Sequence, residues 1–166
     1  MSTRSYIGRW NEDGKIDFIY AHWDGYPSNN GRILQDHYKD TEKIKELISL
    51  GSLSSLGERI HPTNPKRHTF DYEEDENGRY HAIREEDVCL FYGRDRGDDD
   101  VAPITKNTVE EVFEEGDGWI EFIYLWDGSS WTAYSPCNCY GDTYKKLLDA
   151  GTKGMPLEDV LAIPIE

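Results

Sequence analysis

Apolar and polar residues alternate through Ser5–Trp10 and again through residues 16–23. Between them Asn11-Glu12-Asp13-Gly14 supplies the glycine that a tight turn at positive φ requires, so the pattern predicts a β-hairpin. The period changes after Pro27-Ser28-Asn29. Residues 31–38 (GRILQDHY) read as a short helix with Ile33, Leu34 and His37 on one side. A second helix is predicted behind Asp40 or Thr41, because Ile44, Leu47 and Ile48 recur at i, i+3 and i+4 and Gly51 is placed to stop it in the left-handed conformation. Residues 52–67 (SLSSLGERIHPTNPKR) show no period and read as a long connection.

Residues 68–73 and 79–83 flank Asn77-Gly78, a strong hairpin signal, and residues 88–92 read as a short buried strand. Thr108 and Glu111 have the spacing of a capping box, ahead of a helix whose Val109, Val112 and Phe113 share a face. A third hairpin is predicted from residues 119–126 and 131–134. The chain then carries a helix with Tyr144, Leu147 and Leu148, stopped by Gly151, and a short helix begun at Pro156 with Leu157, Val160 and Leu161. The expected fold class is α+β: mainly antiparallel β-hairpins forming a sheet, with three to five short helices packed on it. One domain over residues 1–166 is expected. Residues 14–25 (GKIDFIYAHWDG) echo residues 118–128 (GWIEFIYLWDG), and a duplication would give the two strands related places in the sheet.

Charge changes the picture more than composition does. With 37% hydrophobic residues in 166, the chain can bury one core, but its net charge is −15. Residues 1–70 are close to neutral, whereas residues 71–121 hold 18 carboxylates against 5 basic groups. Such a surplus repels phosphate backbones, so direct nucleic-acid binding is disfavoured. Charge runs are usually solvated faces; the functional alternative is an electronegative surface that docks on a basic groove, with Asp98, Asp99, Asp100, Glu110, Glu111, Glu114 and Glu115 as its candidate contacts. No apolar run is long enough to span a bilayer and residues 1–10 lack a signal-peptide core, so no membrane role is expected. The odd number of cysteines (Cys89, Cys137, Cys139) fits a reducing compartment better than a disulfide framework.

Three segments hold candidate chemistry. Cys137-Asn138-Cys139 reads first as two unremarkable thiols; the functional alternative is a Zn²⁺ site with His22 and His37 as remote partners. The turn His22-Trp23-Asp24-Gly25-Tyr26-Pro27 gathers an imidazole, an indole, a carboxylate and a phenol. His22, Trp23, Asp24 and Tyr26 are therefore ligand-pocket candidates, or else serve a purely structural turn. In residues 93–97 (GRDRG) the two arginines beside a run of Asp read as an internal ion-pair network before an anion site. No hydrolase, P-loop or dinucleotide motif is present, Cys89 lies in an apolar strand where a thiol is poorly activated, and no catalytic residue is assigned.

The segments TRSYIG, IYAHWDGYPSNNGRILQDHY, TEKIKELISLGSLSSLGE, FYGRDRG and WIEFIYLWDG together resemble a family of small acidic proteins encoded mainly by bacteriophages, over about residues 3–135. Ala21 stands where a Cys often precedes the histidine in that family, which weakens a zinc site at His22. A small acidic phage-type protein without a catalytic motif is similar in kind to anti-CRISPR proteins. The resemblance implies a phage-type inhibitor of a host defence nuclease, acting in the cytoplasm of the bacterial host: it would bind an RNA-guided nuclease, which holds nucleic acid in a positively charged channel, and block nucleic-acid loading. The alternatives are a small-ligand sponge for a nucleotide signal and a metal-dependent enzyme.

Overall fold

In the computed structural model, which describes residues 2–138 and 140–164, β1 (Ser5–Trp10) and β2 (Ile16–Ala21) form the first hairpin, with Gly14 at φ 85° in its turn. A π-helical turn at Pro27–Gly31 leads into α1 (Arg32–His37). Helix α2 (Thr41–Ser49) follows, capped by the Asp40 carboxylate on the Glu42 N–H and ended by Gly51 at φ 85°. Then come β3 (Leu53–Ser55), β4 (Tyr72–Glu74), β5 (Tyr80–Ala82), β6 (Leu90–Phe91), α3 (Tyr92–Arg96) and β7 (Ile104–Lys106). Helix α4 (Val109–Gly116) begins at Thr108, whose hydroxyl accepts from the Glu111 N–H at 3.2 Å as the capping box requires. Strands β8 (Phe122–Trp126) and β9 (Trp131–Tyr134), helix α5 (Lys145–Asp149), β10 (Met155–Pro156) and α6 (Leu157–Leu161) complete the described chain.

The main sheet has eight strands in the order β10-β9-β8-β1-β2-β3-β6, with β7 also on β2. It is mixed: among the described residues five of its pairings are antiparallel and two are parallel, so hairpins alone do not build it. β1 pairs in parallel with β8 (Ser5↔Phe122 through Arg9↔Trp126), and β2 pairs in parallel with β3 at Ala21↔Leu53. Alternation identifies a strand but says nothing of a neighbour contributed from far along the chain. The same reason hides β3 inside the segment read as a connection: it has three residues, and pairing with β2 and β6 makes it a strand.

Both faces of the sheet are covered. On one, Ile7, Ile19, Phe122 and Tyr124 pack with Leu34 of α1, Ile44, Leu47 and Ile48 of α2, Leu147 of α5, and Leu157 and Val160 of α6. On the other, Tyr6, Ile16, Phe18, Ile123 and Leu125 meet Val109 and Val112 of α4. Gly8 faces α4's side: a Cβ there would lie 2.4 Å from the Asp17 carbonyl and 2.6 Å from Phe18 Cβ. Strands β4 and β5 form a separate two-stranded hairpin, in register Tyr72↔Ala82 and Glu74↔Tyr80. Among the described residues no helix is long and apolar enough to cross a membrane.

Candidate functional site

The structure sorts the acidic residues into two groups. In the first, carboxylates are consumed internally: Asp98 takes a bidentate contact from Arg96, which holds its carboxyl below the usual range, and Glu115 lies 3.4 Å from Lys106. Glu111 serves the capping box, Glu73 pairs with Arg67, and Glu85 accepts from the N–H groups of Asn64 and Thr63. In the second group, Asp99, Asp100, Glu110 and Glu114 are exposed and have no side-chain hydrogen bond or ion pair among the described residues. The hairpin segment, residues 71–87, holds eight carboxylates against two arginines, with Glu73, Asp75 and Glu85 among those already partnered.

Helix α4 carries these charges against its own stability. Glu110 and Glu111 in the first turn suit the helix dipole, but Glu114 and Glu115 sit at the opposite end, with no basic residue in the last turn. Glu110 and Glu114, and Glu111 and Glu115, are i,i+4 like-charge pairs, each unfavourable by about 0.2–0.5 kcal/mol.

The turn after β2 is held by hydrogen bonds from three directions. The N–H groups of His22 and Trp23 donate to the carbonyls of Leu53 and Ser54, the Gly25 N–H donates to Thr3, and the Gly25 carbonyl accepts from the Tyr124 hydroxyl at 2.6 Å. Asp24 adopts φ 56°, and its carbonyl accepts from the N–H of Asn30, a buried side chain that also donates to the Trp23 carbonyl. The Tyr20 hydroxyl lies 2.6 Å from His22 Nδ1, and burial, then the Arg4 charge, lower the affinity of that imidazole for a proton. A cleft of about 590 Å³ touches Asp24, but Glu58, Glu85, Glu86 and Asp87 line it with Arg84, a field that opposes a phosphate-bearing ligand.

The candidate zinc site is overturned. Among the described residues no group of three His, Cys, Asp or Glu side chains is placed to hold a metal ion. Cys137 is disulfide-bonded and offers no thiolate, while Cys139 lies outside the described residues. His22 faces the Tyr20 hydroxyl, and His37 Nε2 sits 3.3 Å from Glu58. Spacing alone gave no means of seeing that these histidines are each engaged locally.

Residues 93–96 lie in α3, which Gly97 caps, and their arginines are an internal network as read. Arg94 donates to Asp95 and to the carbonyls of Ile60 and Cys89. Arg96 lies over the rings of Phe70 and Tyr92 at 4.7 and 4.8 Å, and these rings stack at 5.5 Å. His68, buried beside this network, has Nε2 at 2.9 Å from the Cys89 carbonyl and accepts the Glu85 N–H at Nδ1, pinning the base of the acidic hairpin.

Sequence reading missed a set of exposed rings. Trp119 is 66% exposed just beyond α4, with the Arg4 guanidinium 5.3 Å from its ring centroid; Tyr72 and Tyr80 on the hairpin are 59% and 70% exposed. The signal was present in aromatic residues flanked by Asp, Glu and Gly, which alternation assigns to strands without saying which side is left open. No family model, no curated protein and no solved structure matches the chain.

Proposed function

We propose that this protein is a non-enzymatic, anti-CRISPR-like inhibitor of a host defence nuclease. It docks through its acidic surface on the positively charged channel of an RNA-guided nuclease and blocks nucleic-acid loading. One observation carries the reading: α4 keeps Glu110 and Glu114 unpaired and stacked at i,i+4, with Glu114 also at the helix end that disfavours it. Solubility alone is served as well by carboxylates placed where the helix tolerates them. Asp99 and Asp100 extend the same unpaired charge, while Asp98, Glu111 and Glu115 contribute less because each already has a partner.

The test is binding to a purified, guide-free type II RNA-guided nuclease at rising salt, together with guide-RNA loading. The combined variant Asp99→Lys, Asp100→Lys, Glu110→Lys, Glu114→Lys is expected to lose most of the affinity and to flatten its salt dependence. Affinity indifferent to both the reversals and salt overturns the reading.

A further inference from the structure

Besides the exposed rings, three partly buried ones, those of Tyr20, Tyr92 and Phe70, reach the surface. Trp119 stacks on Arg4. Burial pushes the hydroxyl of half-buried Tyr20 up, and the charge of Arg4 opposes that shift. Ser52 ties Tyr20 to Tyr92: its hydroxyl accepts from the Tyr20 N–H at 3.4 Å and its carbonyl from the Tyr92 N–H at 3.2 Å. Tyr92 stacks on Phe70, and two residues later the chain enters the hairpin at Tyr72. The register Glu74↔Tyr80 and Tyr72↔Ala82 puts Tyr72 and Tyr80 on the same hairpin face, as diagonal neighbours. Arg84 holds Tyr72 by a 3.1 Å hydrogen bond to its hydroxyl, with the guanidinium 5.7 Å from its ring centroid.

We infer that the band Trp119–Tyr20–Tyr92–Phe70, continued by Tyr72 and Tyr80, is a docking surface for a protein partner rich in Lys and Arg, with the exposed rings at its two ends as the anchors. Tryptophan and tyrosine dominate binding energy at interfaces because they bury much area for little lost side-chain freedom, and here Arg4 and Arg84 already hold the anchors in place. Charge selects the occupant. The band is bounded at one end by α4, which carries four glutamates and no basic residue, and at the other by the hairpin segment with its surplus of six carboxylates. Stacked bases would bring phosphates against both; arginine and lysine side chains meet carboxylates and ring faces together.

This inference rests on the docking reading above and adds the anchors to it. With the guide-free type II nuclease as probe, Trp119→Ala and the pair Tyr72→Ala, Tyr80→Ala are each expected to weaken binding by roughly tenfold or more through faster dissociation, while the slope of affinity against salt stays that of the wild type. Trp119→Phe and Tyr72→Phe should retain most of the affinity, and circular dichroism of each variant reports its fold. Wild-type affinity in either alanine variant, with charge reversal still effective, overturns the aromatic band and leaves the acidic docking standing. Failure of the wild-type protein to bind the probe at all overturns both.

Discussion

The hydroxyl of Tyr124, on β8, donates to the carbonyl of Gly25 at 2.6 Å, so a fully buried phenol from the far half of the chain closes the turn after β2. Tyr124→Phe keeps the ring and leaves the Gly25 carbonyl without that donor. The expected loss is about 1–3 kcal/mol, the cost of an unsatisfied buried group, read as a lower urea midpoint at unchanged slope.

Glu114→Lys should separate stability from function. The substitution converts an i,i+4 repulsion with Glu110 into an attraction in the favourable order and places a cation at the helix end. The folded state is expected to gain about 0.5–1 kcal/mol while nuclease binding weakens. A variant that binds as tightly as the wild type while melting higher would show that Glu114 makes no contact.

Alkali should unfold the protein through its buried phenols. Burial pushes Tyr6 and Tyr134 up to about 12, and Tyr38 and Tyr124 well above their ordinary value of 10.0. The fold therefore favours the neutral phenol. That contribution is complete below pH 10 and is lost as pH climbs toward 12. Tyrosinate absorbance of these groups should rise together with the loss of circular dichroism; ionisation of them all in a fully folded protein would contradict their burial.

At the acid end the hairpin's anchor gives way. The N–H groups of Asn64 and Thr63 hold the Glu85 carboxyl below its ordinary 4.5. The carboxylate's support is present above pH 4.5 and fades as pH falls through the lower folded value. Amide proton shifts of Thr63 and Asn64 should move with a midpoint below 4.5, and Glu85→Gln should shift them already at neutral pH.

Gly8→Ala should be among the most damaging single-methyl changes. The added Cβ meets backbone of β2 at 2.4 Å in the middle of the sheet, for an expected loss of about 2–3 kcal/mol by urea unfolding. Gly14→Ala meets nothing within 4 Å and incurs only the positive-φ strain, about 1–2 kcal/mol.

What could be read from the sequence was what depends on neighbours along the chain. The hairpin turn at Gly14, the Asp40 cap, the Thr108–Glu111 box and the apolar faces of α2 and α4 are local, and all are where spacing put them. Pairing is not local: β3, β7 and β10 are strands only because distant segments lie beside them. The echo between residues 14–25 and 118–128 illustrates the difference. Both strands flank β1, but Phe18 packs on the α4 side and Phe122 on the other, because the register sets Phe18 opposite Gly8 and Phe122 opposite Ser5, which point to opposite faces of β1. Likewise the acidity of residues 71–121 was legible, yet which carboxylates stay unpaired depends on Arg96, Lys106 and two backbone N–H groups that only the folded chain brings close.

The parallel seam of Ser5 against Phe122 sets when this molecule finishes folding. Strand β1 is synthesised first but gains its second neighbour only after nearly all of the central segment has emerged, so a large closure entropy is met late. Until then the nascent chain is a half-built sheet with an open edge, and the mutual repulsion of its surplus anions is the force that holds neighbouring chains apart; refolding should be slow, and cleaner in dilute salt than in concentrated salt.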